Sequence, residues 1–213
     1  IEKIKKKYPG SEVDFLVYDT FADAITENPG LRKVHIFSKK KNKNFGYAKE
    51  KTEELKQEKY DYVIFLHSKY LSRKIGKKLG AEYIKYTKRK WWKTVLVKLK
   101  FIKYKADAPI VVQYFKPLKK LGIFYENEKV KFFYNDGVEK LLKKKYNLEE
   151  TYAVLAPGAS KNTKKWIYFN ELALLIEKEL KLKVYVIGGK EDKGIVKETE
   201  NIKDLCGQLS FKE

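Results

Sequence analysis

Short apolar runs alternate along this chain with longer stretches whose apolar residues recur at helical spacing. The runs cover residues 13–18, 34–37, 62–66, 83–86, 130–134, 152–156 and 184–187, and the helical stretches cover 45–59, 70–79, 137–145 and 168–180. Short apolar runs bounded by turns read as strands, and strands that alternate with helices build βαβ units on a parallel sheet. Asn28-Pro29-Gly30 and Asn135-Asp136-Gly137 supply turns. Leu172, Leu175, Ile176 and Leu180 form a stripe expected to lie on a sheet. The expected class is α/β with parallel sheets.

With 213 residues, 43% hydrophobic and 15% aromatic, the chain can bury a core and make one large or two small domains. No run approaches the roughly 18 uncharged apolar residues of a membrane helix. Cys206 is the single cysteine, so no internal disulfide forms, and with His35 and His67 it offers too few donors for a structural zinc. A reducing cytoplasm fits. Cys206 reads as a small buried residue, and His35, alternating with apolar neighbours, as structural. Residues 1–7 are charged throughout and lack the apolar centre of a secretion signal.

Lys and Arg number 48 against 28 Asp and Glu, a net charge of +20. That surplus attracts polyanions: nucleic acid, an anionic membrane surface or a phosphorylated glycolipid. Part of it is solvation by Lys and Glu scattered along helical faces. Residues 85–105 interleave bases with Tyr86, Trp91, Trp92, Phe101 and Tyr104, which suits an anionic bilayer or a phosphorylated glycolipid. The same segment equally suits a helix that packs Trp91 and Val95 on a sheet while its lysines face water.

The ends are expected to belong to a longer polypeptide. Ile1 and Ile4, followed by Tyr8-Pro9-Gly10, read as the tail of an amphipathic helix, and in a βαβ unit such a helix follows a strand. Ser210 and Glu213 have the spacing of a capping box, which opens a helix. The chain contains no Met.

Residues 151–192 carry the chemistry. A loop running from Pro157 through Gly158, Ser160, Lys161, Thr163, Lys164 and Lys165 to Trp166 sits where a strand ends and a helix begins. Open α/β sheets bind ligands there, and backbone N–H groups, a helix start and lysines suit a diphosphate. A fixed lysine with nearby N–H groups stabilises the charge that grows on a departing nucleoside diphosphate without a metal. The other reading is an ordinary βα loop with solvated lysines and a core tryptophan. His67 stands at the carboxyl end of the run at 62–66, suited to hydrogen-bonding a sugar. Arg73 could pair with a phosphate or carboxylate, or be a solvated helix-face arginine.

Pro157-Gly158-Ala159, then Lys164-Lys165-Trp166, Phe169, Glu171-Leu172-Ala173 and the strand ending Ile187-Gly188-Gly189 together resemble the nucleotide-sugar domain of the ADP-heptose:lipopolysaccharide heptosyltransferases, glycosyltransferase family 9. Tyr8-Pro9, the strand at 13–17, Phe21, Asn28-Pro29, Val34 and Lys59-Tyr60-Asp61-Tyr62-Val63-Ile64 resemble that family's first domain. The resemblance implies a GT-B fold, two Rossmann-like domains with parallel sheets facing a cleft, truncated at both ends. Residues 1–134 would form the acceptor-side domain, 135–150 a connection, and 151–213 the start of the nucleotide-sugar domain.

By the same resemblance Lys164 contacts the donor diphosphate, with Ser160, Thr163 and Gly158 in the same loop. Glu191 binds the donor nucleoside, and His67 and Arg73 line the acceptor side. The implied reaction transfers heptose from ADP-heptose to the lipopolysaccharide inner core without metal or other cofactor. The implied location is cytoplasmic, with a peripheral seat on the anionic inner face of the inner membrane open to it. The family's catalytic aspartate would lie upstream of Ile1, and its Asp-Thr/Ser-Gly-x-x-His motif beyond Glu213. Two rivals remain: a GT-B transferase for another nucleotide sugar, and a basic nucleic-acid-binding protein. The family reading expects no nucleic-acid partner. No GxxxxGK[ST] or intact GxGxxG supports a P-loop ATPase or a dinucleotide-dependent dehydrogenase.

Overall fold

In the computed structural model the chain divides into two compact units, Ile1–Ala22 with Pro29–Lys131, and Asp23–Asn28 with Phe132–Glu213. The structure describes residues 1–41, 45–66, 69–86, 95–101, 103, 108–148, 151–210 and 212–213. Each unit is an α/β layer of parallel strands and crossover helices, as the alternation requires.

In the first unit α1 (Glu2–Lys7) leads into β1 (Asp14–Tyr18), followed by β2 (Lys33–Phe37), α2 (Phe45–Gln57), β3 (Tyr62–Phe65), α3 (Tyr70–Lys77), β4 (Glu82–Lys85) and α4 (Ile110–Leu118). β1 pairs with β2 in parallel, Asp14 opposite Lys33 and Tyr18 opposite Phe37. β3 pairs with β4 in parallel, Tyr62 opposite Glu82 and Phe65 opposite Lys85. The two pairs are separate sheets. α2 and α3 tie them together through a core of Phe37, Leu55 and Ile75, against which Tyr18, Tyr60, Leu71 and Leu79 pack. α3 comes close enough to β3 that a Cβ on Gly76 would overlap the Phe65 ring.

The second unit contains α5 (Asp136–Tyr146), β5 (Tyr152–Leu155), α6 (Phe169–Leu175), β6 (Lys183–Val186) and β7 (Ile202–Asp204). Asn135 caps α5 by accepting from the Gly137 N–H at 2.8 Å. The strands lie in the order β5-β6-β7, all parallel. β6, paired on both edges, is the best-buried strand, with Val184 and Val186 fully enclosed. Leu155, Ala173, Val196, Ile202 and Cys206 complete its core. Burial and the neighbouring Asp204 carboxylate push the Cys206 thiol up to about 12. Glu213 accepts from the Ser210 N–H at 2.9 Å, the acidic half of the capping box.

The structure departs from the sequence reading in several elements. Residues 130–134 form no strand: Val130 is 80% exposed, and Phe132 and Tyr134 stack on each other at 6.4 Å. An apolar run without a neighbouring edge has no ladder to join, and this one spans the boundary between the units. The expected stripe is rotated. Phe169, Leu172, Ala173 and Ile176 face the core, whereas Leu175 and Leu180 are more than half exposed. The helix widens to π geometry over Ile176–Leu180, which carries Leu180 off the buried face. α4 is masked in the sequence pattern by Pro117, which sits in its last turn. β7 has too few residues to show a period.

A polar network closes the amino ends of the strands in the first unit. Asp14, buried at the start of β1, accepts from Arg32 Nε at 2.9 Å and from the Tyr60 hydroxyl at 2.7 Å, and lies 3.2 Å from His35 Nε2. Arg32 and Lys33 each also reach Glu58 at 2.7 Å. The other ring nitrogen of His35 faces Glu54 at 3.4 Å. Burial alone would raise the Asp14 carboxyl, but the bonds from Arg32, Tyr60 and His35 outweigh it and hold it well below the usual carboxylate range. Lys33 and Arg32 lower Glu58 in the same way.

Carboxyls lowered by folding add stability that is present above their ordinary values near pH 4 and is lost as pH falls through their folded values. The first unit is therefore expected to lose stability steeply below about pH 4. Asp14→Asn should cost it about 3 kcal/mol at neutral pH and flatten that acid limb. Amide exchange of β1 and α2 against β6 across pH 3 to 7 measures both effects.

Candidate functional site

The carboxyl ends of β5 and β6 point into adjacent loops, since the two strands are parallel neighbours. The first loop leaves β5 through buried Pro157 and winds through a single 3-10 turn, Asn162–Lys164, before α6. Lys164 N donates to Lys161 O at 2.9 Å and Lys165 N to Asn162 O at 3.1 Å, so backbone bonds fix the turn. Lys161, Lys164 and Lys165 are all exposed, as are Ser160 and Thr163. Among the described residues no carboxylate pairs with these lysines. The turn thus displays uncompensated positive charge on a hydrogen-bonded frame, which suits a polyphosphate.

Trp166 holds the far end of the loop. It is half exposed, and it meets Phe169 edge-on at 5.2 Å and Tyr168 at 5.9 Å. Phe169 in turn packs on the core under α6. Trp166 is therefore a surface anchor and not a core tryptophan. Among the described residues no side chain caps the amino end of α6, whose N-cap residue is Tyr168.

The second loop follows β6 through Gly188 and Gly189 into a 3-10 turn, Lys190–Asp192. Asp192 is the residue that the sequence reading missed. Its carboxylate is buried and accepts from the Gly189 N–H at 3.0 Å. It also fills the space that side chains would need at Gly158 and Gly188: a Cβ on Gly158 would overlap it, and one on Gly188 would stand 2.8 Å from it. Gly158 is thus required first by a carboxylate from the neighbouring loop. An aspartate following a glycine pair was the available signal, but the contact joins residues far apart in sequence.

The structure brings Gly158, Ser160, Thr163 and Lys164 onto one loop, and Asp192 braces that loop against the turn that carries exposed Glu191. Arg73 belongs to the first unit, on α3, beside a shallow recess that it shares with Phe65, Lys77, Tyr83 and Lys85. His67 and most of residues 85–105 lie outside the described residues. Among the described residues, Asp14, His35 and Glu58 are the group close enough to share a metal. Arg32 and Lys33 already pair with its carboxylates, so it is a salt-bridged network in chemistry. No helix among the described residues is long and apolar enough to cross a membrane.

Residues 49–213 match the family model described as glycosyltransferase family 9 (heptosyltransferase). The chain belongs to that family. No curated protein sequence matches it. Among solved structures, a family 9 glycosyl transferase from Veillonella parvula DSM 2008 aligns with a TM-score of 0.72 at 17% identity, over 98% of this chain and 64% of the other. The ADP-heptose lps heptosyltransferase II of E. coli aligns at 0.68 and 12%, over 99% of this chain and 68% of the other. The E. coli heptosyltransferase WaaC with ADP aligns at 0.65 and 16%, over 99% and 70%. At these identities the likeness is one of fold, and the fold is that of the GT-B transferases of family 9. This chain spans 64% of the length of the Veillonella protein.

In this family member the Gly158–Asp192 contact should behave as one unit. Gly158→Ala is expected to destabilise the second unit by about 1 to 3 kcal/mol. Asp192→Ala should be destabilising too, and the double variant should fall short of the sum by about 1 kcal/mol, because the added methyl then has room. Denaturant unfolding of the single and double variants measures the coupling.

Proposed function

We propose that this chain is the donor-binding part, with much of the acceptor part, of a transferase that moves a heptose from ADP-heptose to the lipopolysaccharide inner core. The observation that carries the reading is the lysine-bearing turn at the carboxyl end of β5, within the stretch that matches the family. Lys164, with Ser160 and Thr163 beside it, would hold the diphosphate, and Glu191 would meet the nucleoside.

In the reaction an acceptor hydroxyl attacks the anomeric carbon and ADP departs with the electron pair of the broken C–O bond. Lys164 offsets the charge that grows on the departing phosphate, a task that needs no metal in this reading. The proton leaves the attacking hydroxyl for a carboxylate, which the resemblance places on the amino side of Ile1. On the acceptor side Arg73 would pair with an anionic group and His67 with a sugar hydroxyl. The +20 net charge would favour a phosphorylated acceptor at an anionic, cytoplasmic membrane face.

Titration calorimetry on the full-length protein tests the donor. ADP is expected to bind more tightly than UDP, and Lys164→Ala to weaken ADP at least about tenfold, or 1.4 kcal/mol. Tighter UDP binding would move the reading to another nucleotide sugar. Unchanged ADP affinity in Lys164→Ala would remove this loop from the donor site. DNA binding that survives about 200 mM salt, without affinity for ADP, would favour the nucleic-acid reading.

A further inference from the structure

Three loops meet at the carboxyl edge of the sheet in the second unit, and the turn Lys190–Asp192 lies between the other two. On the β7 side it is held closely. A Cβ at Gly207, whose φ is +71°, would stand 3.0 Å from the Lys190 backbone and closer still to its side-chain stem. The Gly207 N–H donates to Gly188 O at 2.9 Å. Just past the turn the Gly194 N–H donates to the buried Asp204 carboxylate at 2.7 Å. The turn also closes on itself, with Asp192 N donating to Gly189 O at 3.1 Å and Gly189 N to the Asp192 carboxylate at 3.0 Å.

The β5 loop has fewer ties. Its ladder ends where the Ile187 N–H donates to Leu155 O at 2.9 Å. Among the described residues, 156–160 make no hydrogen bond to the turn at 190–192. Asp192 supplies a join by packing. Its buried carboxylate is seated where a Cβ of Gly158 would be, and it stands 2.8 Å from the place of a Cβ on Gly188. One side chain thus touches both loops, and its bond from Gly189 decides where it stands. Further along the β5 loop, the turn Asn162–Lys164 is made a single body by its own backbone bonds.

We propose that Asp192 is a positioning residue for the donor: it sets the spacing between the Lys164 turn and Glu191, and so decides whether one nucleoside diphosphate reaches both. This rests on the donor reading of Lys164 and Glu191 given above. A ligand whose diphosphate meets one loop engages the second loop with its nucleoside as an intramolecular step. That gain exists only when the loops stand at the separation the molecule spans.

The neighbours of Glu191 fit this role. The Lys190 stem is committed to Gly207 and the Asp192 carboxylate to Gly158, while Glu191 between them is exposed, its carboxylate turned back over Gly189. Asp192 is buried beneath the turn and acts through these neighbours, by its shape and by the one bond it accepts.

A double-variant cycle on the full-length protein tests the proposal. ADP affinity is read by titration calorimetry at a temperature where near-ultraviolet circular dichroism shows every variant folded. In the parent protein Lys164→Ala weakens ADP about tenfold on the donor reading. In the Asp192→Ala background the same change is expected to cost less than about threefold, because the displaced lysine has already lost its ligand. An aspartate that only stabilised the fold would leave the tenfold factor intact.

Gly158→Ala, which pushes the loop away with Asp192 in place, should shrink the factor likewise, and it serves if Asp192→Ala does not fold. Asp192→Asn keeps the volume and an oxygen acceptor, so it should retain the full factor and bind ADP within about threefold of the parent. An undiminished factor in Asp192→Ala and Gly158→Ala would overturn the proposal. Loss of ADP binding in Asp192→Asn as deep as in Asp192→Ala would overturn it too, making the aspartate a direct ligand of the donor. Lys164→Ala without effect in the parent protein would instead remove the donor reading, and this proposal with it.

Discussion

A parallel strand is best enclosed when both its faces are covered and both its edges are hydrogen-bonded. The second unit meets this condition at β6, and its core, its loops and the brace at Asp192 all hang on that strand. β5 and β7 are placed by pairing with it, and the adjacent loops therefore emerge side by side. The first unit meets the condition only in part. The helices α2 and α3 hold its two strand pairs together, and the polar network at Asp14 closes the base.

The brace between the two loops of the second unit links packing to chemistry. A buried carboxylate is costly unless it is bonded, and Asp192 is satisfied by the Gly189 N–H in a space that glycine leaves at 158 and 188. That contact holds the start of the β5 loop against the turn after β6. The lysines further along the loop stay outside the packing, exposed and without a carboxylate partner among the described residues. The loop is thus braced near the sheet and carries open charge at its tip.

The positive charge of this chain has more than one physical role. Arg32 and Lys33 are consumed internally, pairing with Asp14 and Glu58, and Lys3 with Glu126 and Glu128. Among the described residues Lys161, Lys164 and Lys165 have no carboxylate partner, and Arg73, Lys77 and Lys85 gather around an aromatic recess. A net charge of +20 therefore describes the surface as a whole, while function depends on where neutralisation fails.

The α/β class, most strand positions to within a residue, and the family were legible in the residues alone, because short apolar runs and a loop motif are local signals. So was the placing of Lys164, Ser160, Thr163 and Gly158 on one loop. Other features were decided only by tertiary structure. The run at 130–134 lacks a partner edge, the buried face of α6 was reset by a π turn, and α4 was hidden by Pro117. Asp192 took its place because two loops distant in sequence meet at parallel strand ends. Pairing, burial and carboxylate bracing are relations between separated segments, and a one-dimensional pattern carries the propensity of each segment but not which edge or loop it will meet.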